Sequence, residues 1–164
     1  MGFAYQTIAN GGVRLDPILV DSCTGPAGEV LYEPNQKGYR VISEANADLN
    51  LQLMEKVVEF GGVGKTAAIE DYRVAGKTGT AQIREGDGYG ERYAISFYGV
   101  AHVENPRFVV GVTIYRPEGV SNSAKATPPF KAIMQQALKH YRVPPSTTTS
   151  RDDIPSNRSG EPGA

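Results

Sequence analysis

The sequence predicts a mixed α/β fold of the α+β type, an antiparallel sheet flanked by helices, and three observations carry that prediction. Residues 44–60 place apolar Ala47, Leu51, Met54 and Val58 at a helical period. Strand-like runs follow at residues 71–83, 93–103 and 107–115, separated by turn chemistry that makes them a meander. Pro128 and Pro129 then suit the first turn of a second amphipathic helix running to about His140.

Residues 1–9 set Phe3, Ala4 and Ile8 on one helical face, and Asn10-Gly11-Gly12 ends that helix. It begins without a capping residue, as though a longer helix had been cut into. Residues 13–20 are extended, and Pro17 limits them to an edge strand. Residues 21–34 read as a hairpin around Thr24-Gly25-Pro26-Ala27-Gly28, with Glu29-Val30-Leu31-Tyr32 as its returning strand. Tyr39-Arg40-Val41-Ile42 is a further short strand, and Ser43 stands as N-cap of the 44–60 helix. Met54 and Phe60 are expected in the core. Residues 61–66 end this helix and contain the Gly-Lys-Thr of a phosphate loop. Glu59 stands where that motif needs its first glycine, and a helix precedes the loop where a strand should, so the nucleotide reading is set aside.

Residues 84–92 are Gly-rich and charged, suited to a hairpin loop. The 93–103 run carries aromatic Tyr93, Phe97 and Tyr98 with small Ala94, Ser96 and Gly99, and Asn105-Pro106 turns the chain. Residues 107–115 are almost continuously apolar, the pattern of a strand covered on both faces and the expected buried member of the meander. Residues 116–127 form a loop. In the last helix Phe130, Ile133, Met134, Ala137 and Tyr141 share a side. His102, in the second strand, and His140, near a helix C-terminus, read as structural. Residues 143–164 hold too little apolar surface to offset their ordering entropy, which divides the chain into a folded part, 1–142, and a disordered polar tail, 143–164.

Composition narrows the function classes. Seventeen Lys and Arg against eighteen Asp and Glu give a net charge of -1, with no basic surplus to argue for nucleic acid. An apolar fraction of 40% over 164 residues suits one domain of ordinary size. The single Cys23 excludes an internal disulfide and a multi-cysteine metal site, and two distant histidines argue against a metal centre. No metal or other cofactor is expected. No apolar run approaches a membrane span, and Met1 is not followed by a signal sequence.

The stretch with functional content is 72–82. Tyr72, Val74 and Thr78 favour a strand, but Gly76 and Gly79 interrupt it, and a strand glycine is weakening unless something must approach the backbone closely. Lys77 sits between the two glycines. An anionic, peptide-like ligand laid along the edge fits these residue types. A bulged edge strand with a solvated lysine fits them equally.

Gly76-Lys77-Thr78-Gly79-Thr80-Ala81 resembles the Lys-Thr-Gly box of penicillin-binding proteins and serine β-lactamases. Ala4-Tyr5-Gln6-Thr7-Ile8-Ala9-Asn10-Gly11-Gly12, the helix ahead of the 61–66 loop, and Tyr98-Gly99-Val100-Ala101 extend the resemblance. Together they look like class B penicillin-binding proteins, and most like septal cell-division transpeptidases, over residues 1–141. The resemblance implies a β-lactamase/transpeptidase-like fold and a serine acyltransferase working on peptidoglycan stem peptides. A serine attacks the D-Ala-D-Ala bond, D-Ala leaves, and an amine of a second peptide resolves the acyl-enzyme. β-Lactams acylate the same serine. It further implies that the box strand is the sheet edge facing the cleft, with donor peptide or drug antiparallel to it. Gly76 and Gly79 then border the ligand, Gly79 keeping the edge clear. Thr80 offers its backbone N–H to the oxyanion, Thr78 and Thr80 hydroxyls bind the terminal carboxylate, and Lys77 supplies positive potential and aids proton movement. Residues 84–92 and 116–127 border the cleft, with Tyr89 and Tyr93 either an aromatic wall or ordinary surface and strand packing. Implied partners are the remainder of the domain and, through the parent protein, divisome proteins. The implied location is the extracytoplasmic face of a bacterial membrane, through an anchor outside this chain.

The sequence departs from the family in two signatures. No lysine has a serine three residues before it, so Ser-x-x-Lys is lacking, and Ser121-Asn122 and Ser156-Asn157 put asparagine one place early for Ser-x-Asn. The chain is therefore expected to be the C-terminal part of a transpeptidase domain, incomplete on its N-terminal side and inactive alone. Strand 107–115 is expected to pair with a first strand not in the chain and otherwise to expose an apolar edge. A serine β-lactamase or D,D-carboxypeptidase is the alternative within the fold. A cell-wall or drug-binding module without a nucleophile is the alternative outside enzymes.

Overall fold

The structure, a computed structural model, describes residues 1–60, 62–119 and 122–146. Helix α1 spans Gly2–Ala9 and is closed by Gly11 and Gly12, at φ of +59° and +87°. Gly12 also lies so close to the Ile42 carbonyl that a Cβ there would collide with it. Its own carbonyl accepts the Val41 and Ile42 N–H groups at 2.8 and 3.3 Å. That contact brings β1 (Val13–Leu15) antiparallel to β4 (Gly38–Arg40). Between them, β2 (Cys23–Thr24) and β3 (Val30–Tyr32) form the expected hairpin, whose strand residues are all exposed.

Helix α2 spans Glu44–Glu59, and Ser43 Oγ accepts the Asn46 N–H at 3.3 Å as its cap. Ala47, Leu51 and Val58 are buried as their period predicts, while Met54 is half-buried. Phe60 corrects the expectation. The helix stops one residue earlier, and the ring is 79% exposed beneath the Lys56 ammonium. Glu55, not read as core, is buried on the same side as Leu51. The Gly-Lys-Thr segment forms a 3-10 turn, Gly62–Ala67, directly after this helix. There Thr66 Oγ1 hydrogen-bonds Thr127 Oγ1 at the start of the last helix, a structural use of the motif.

The main sheet has the order β5-β6-β7, all antiparallel. Strand β6 (Gly88–Ala101) starts earlier than the expected 93–103 and is longer, while β5 (Val74–Glu85) is displaced toward the C-terminus from the expected 71–83. The anticipated nine-residue loop at 84–92 shrinks to the two-residue turn Gly86-Asp87, with Glu85 opposite Gly88. Gly86 at φ +62° suits such a tight hairpin. Strand β7 (Phe108–Tyr115) is the second correction. Among the described residues it is an outer strand, as expected where its partner strand is not in the chain, but it has no fully buried residue, and β6 holds the central place. Its apolar run reflects partial cover from both sides: Phe108, Val110 and Val112 pack on one cluster and Val109 on another.

Strand alternation sorts the core onto two faces. Val74, Phe97 and Ala101 meet Phe130, Met134 and Leu138 of helix α3 (Thr127–His140). Ala75 and Val100 meet Leu51, with Ile8, Ala9 and Met54 at the margin. Phe97 and Phe130 meet edge to face at 4.7 Å, an arrangement contributing about 0.5–1.5 kcal/mol beyond burial. Pro128 and Pro129 lie in the first turn of α3 as predicted. The buried stripe, however, is Phe130, Met134 and Leu138, leaving Ile133 at 51% and Tyr141 at 62% exposure.

The chain beyond α3 also differs from expectation at its start. Val143 is buried in the core, its carbonyl accepts the Tyr72 hydroxyl at 2.7 Å, and Ser146 bonds back to the foot of β5. A single apolar side chain docks this segment. The rest of the predicted tail, 147–164, lies outside the described residues. Among the described residues no helix is long and apolar enough to cross a membrane.

Candidate functional site

Strand β5 leaves the core as it runs. Val74, Ala75 and Gly76 are buried, and from Lys77 onward the residues are exposed or half-buried. Only β6 pairs with it, so its other edge has no strand partner among the described residues. The register sets Gly76 opposite Gly99, Lys77 opposite Tyr98, Gly79 opposite Ser96 and Thr80 opposite Ile95.

Four of the predicted site residues, Lys77, Thr78, Gly79 and Thr80, fall within this one exposed edge, and the fifth, Gly76, does not. Strand alternation puts Thr78 and Thr80 on one face and Lys77 and Gly79 on the other. The two hydroxyl-bearing side chains thus stand two residues apart on the same side. Lys77 is exposed, and its Nζ donates to the Thr78 carbonyl at 3.2 Å with Thr78 Oγ1 at 3.5 Å. A cation therefore lies beside the open edge with no carboxylate holding it among the described residues. At Gly79 an added Cβ would stand 2.6 Å from Ser96 Oγ, so the bare backbone is matched to the serine opposite.

Gly76 has a different role from the one sequence suggests. It is buried, and a Cβ there would strike the Phe97 ring and come within 2.9 Å of the Tyr98 carbonyl. Gly99, directly opposite, is bare for the same reason: its Cβ would stand 2.7 Å from the Phe130 ring. Gly76 packs, and Gly79 is the glycine at the edge.

On the Lys77 face, Tyr98 stacks on Tyr5 of α1 with ring centroids 5.3 Å apart. Burial, and then the neighbouring Tyr98, push the Tyr5 phenol above its ordinary pKa. Of the two aromatic candidates near the cleft, Tyr89 is 74% exposed opposite Arg84. Tyr93 lines a hollow of about 730 Å³ with Glu91, Arg92, Arg116 and Glu118. Residues 116–127 are not wholly a loop, since Ser123–Ala126 form a 3-10 turn capped by Asn122, and 120–121 lie outside the described residues.

The strand's foot holds the residues that sequence reasoning missed. The Arg73 guanidinium grips Glu55 through Nε–Oε1 and Nη2–Oε2, both 2.7 Å, although Glu55 is only 2% exposed. Hydrogen bonding to Glu55 holds Arg73 above its ordinary pKa despite the opposing cost of burial. Glu104 lies 3.6 Å from Arg73 Nη1 and 2.9 Å from His102 Nδ1. His102 thus sits one residue beyond β6 rather than within it, buried and edge-on to Tyr72. His140 closes α3 and is exposed. The only local sign of this cluster was a glutamate one place from the apolar period of α2. Among the described residues no group of three or more His, Cys, Asp or Glu is placed to hold a metal ion.

Comparison with known proteins adds to this geometry. Residues 1–135 match the family described as penicillin binding protein transpeptidase domain. Penicillin-binding protein PbpB of Mycolicibacterium smegmatis is 37% identical over 156 residues, covering 88% of this chain and 24% of that protein. Peptidoglycan D,D-transpeptidase FtsI of Escherichia coli is 37% identical over 130 residues, covering 77% of this chain and 22% of that protein. The structure of penicillin binding protein 3 of Mycobacterium tuberculosis complexed with ampicillin superposes at a TM-score of 0.79 with 36% identity, covering 90% of this chain and 35% of the other. The chain spans less than a quarter of the length of these curated relatives.

Proposed function

This chain belongs to the penicillin-binding protein transpeptidase family, of the PBP3/FtsI type, and on that premise we propose that it supplies the ligand-holding edge of a peptidoglycan D,D-transpeptidase cleft. The observation that carries the proposal is the open outer edge of β5, with Lys77, Thr78, Gly79 and Thr80 standing clear of the core. A stem peptide ending in D-Ala-D-Ala, or a β-lactam, lies antiparallel along that edge and gains main-chain hydrogen bonds from it. Ampicillin in the complex of the Mycobacterium tuberculosis relative supports the β-lactam part of this reading.

The residues divide the work. The Thr80 N–H donates to the oxyanion of the tetrahedral intermediate, where preorganised donors contribute most to acyl transfer. Thr78 and Thr80 hydroxyls donate to the ligand's terminal carboxylate, and the Lys77 ammonium holds positive potential over the same region. The attacking serine and its lysine are contributed by polypeptide outside these 164 residues, since no Ser-x-x-Lys occurs among them. An oxyanion donor without a nucleophile gives no acyl-enzyme. The remainder of such a domain is the chain's first partner, reached through the outer edge of β7, and divisome proteins follow through the parent. The working site is the extracytoplasmic face of the membrane.

Fluorescent penicillin tests this directly. The 164-residue chain, incubated with the drug and run under denaturing conditions, is expected to carry no covalent label. A labelled band would overturn the assignment of the nucleophile to other polypeptide.

A further inference from the structure

Past Gly76 the only strand paired with β5 among the described residues is β6, so whatever fixes its root helps to fix the open edge. The root is Arg73, four residues before Lys77, where the chain comes out of Asp71 at φ +62° and the Ile69–Tyr72 bridge. Arg73 is fastened through both side chain and backbone. Its guanidinium takes both oxygens of Glu55 on α2 and approaches Glu104 in the β6–β7 turn. Its N–H donates to Ser146 Oγ at 2.9 Å, and its carbonyl accepts the Val103 N–H at 3.2 Å. Ser146 Oγ in turn donates to Glu104 Oε2 at 3.2 Å, while its N–H donates to the Asp71 carbonyl at 2.8 Å.

We propose that Arg73 is the positioning residue of the Lys77–Thr80 edge. It clamps the foot of β5 between α2, the β6–β7 turn and the C-terminal segment, so that the outer half of the strand keeps its register and height against β6. Glu55 makes the clamp stiff, because with 2% exposure it has no water to accept in place of the guanidinium. The planar fork matters as well as the charge, since an ammonium cannot span both oxygens of the carboxylate in this way. The importance of the edge rests on its reading as a ligand site, whereas the clamp itself can be measured with no ligand present.

The test is amide hydrogen exchange on the whole 164-residue chain, comparing two places in one sheet. In Arg73→Lys the β6-bonded amides among residues 77–81 should exchange about tenfold faster relative to the β6–β7 amides around Val110 and Val112. In Ser146→Ala the same local bias should appear at about threefold, because the hydroxyl's contacts to the Arg73 N–H and Glu104 are lost while the fork remains. Equal acceleration in both places means that Arg73 contributes only global stability, and this overturns the proposal, as does no acceleration at all. If Arg73→Lys does not fold, Ser146→Ala and Glu104→Gln decide by the same ratio. A failed clamp leaves the penicillin reading standing, and a failed penicillin reading leaves the exchange ratio standing.

Discussion

The two halves of β5 are built from one continuous strand and do opposite things. Val74 to Gly76 lies between helix layers, with Phe97, Phe130, Met134 and Leu138 on one face and Leu51 with Val100 on the other. Lys77 to Glu85 carries polar and half-exposed residues, and among the described residues β6 is the only strand paired with it. The ligand edge proposed above has to be rigid and also unpaired, two demands that conflict in a free strand. Here the buried half supplies the rigidity and the exposed half stays available.

That division predicts a gradient of effects along a few residues. Phe97→Ala should cost most, about 3–5 kcal/mol, because it empties the centre of the core beside Gly76. Urea denaturation would read it as a fall in midpoint with an unchanged slope, and a loss under about 1 kcal/mol would break the claim that this half is the anchor. Gly76→Ala should cost about 1–3 kcal/mol by overpacking against the Phe97 ring, although it adds one methyl to a strand. A neutral result in the same assay would move Gly76 back to the ligand edge. Lys77→Ala should change stability by no more than about 0.5 kcal/mol, because the side chain is exposed and has no ion-pair partner to strand among the described residues. A large loss there would mean that the exposed half also carries the fold.

The same contrast explains which features were legible in the sequence. The period of α2, the prolines opening α3 and the glycine-broken strand are local signals, and each element stands where its residues predict. The edge position of residues 77–80 was readable because Lys77 and Gly79 are poor material for a buried strand, whereas Gly76 looked the same in sequence and is packed in the core. Glu55 was not readable, since its partner Arg73 comes 18 residues later and nothing nearby marks the pairing. The burial of β7 was overestimated because a run of Val, Phe and Ile looks alike in a fully covered strand and in an outer one covered partly from both sides. The exposure of Ile133, Tyr141 and Phe60 has the same origin: apolar spacing defines several stripes, and packing selects one. Val143 and Ser146 escaped because two docked residues cannot outweigh the composition of the segment around them.

Gly76 and Gly99 face each other across the β5–β6 ladder, and the rings of Phe97 and Phe130 lie where their side chains would be. Four positions therefore share one volume, and a change at any of them alters what the other three tolerate. A sequence drifting through this site cannot cross it one residue at a time. Enlarging either glycine becomes acceptable only after an aromatic has shrunk, so such replacements should travel together, and their combined cost should fall below the sum of the separate costs.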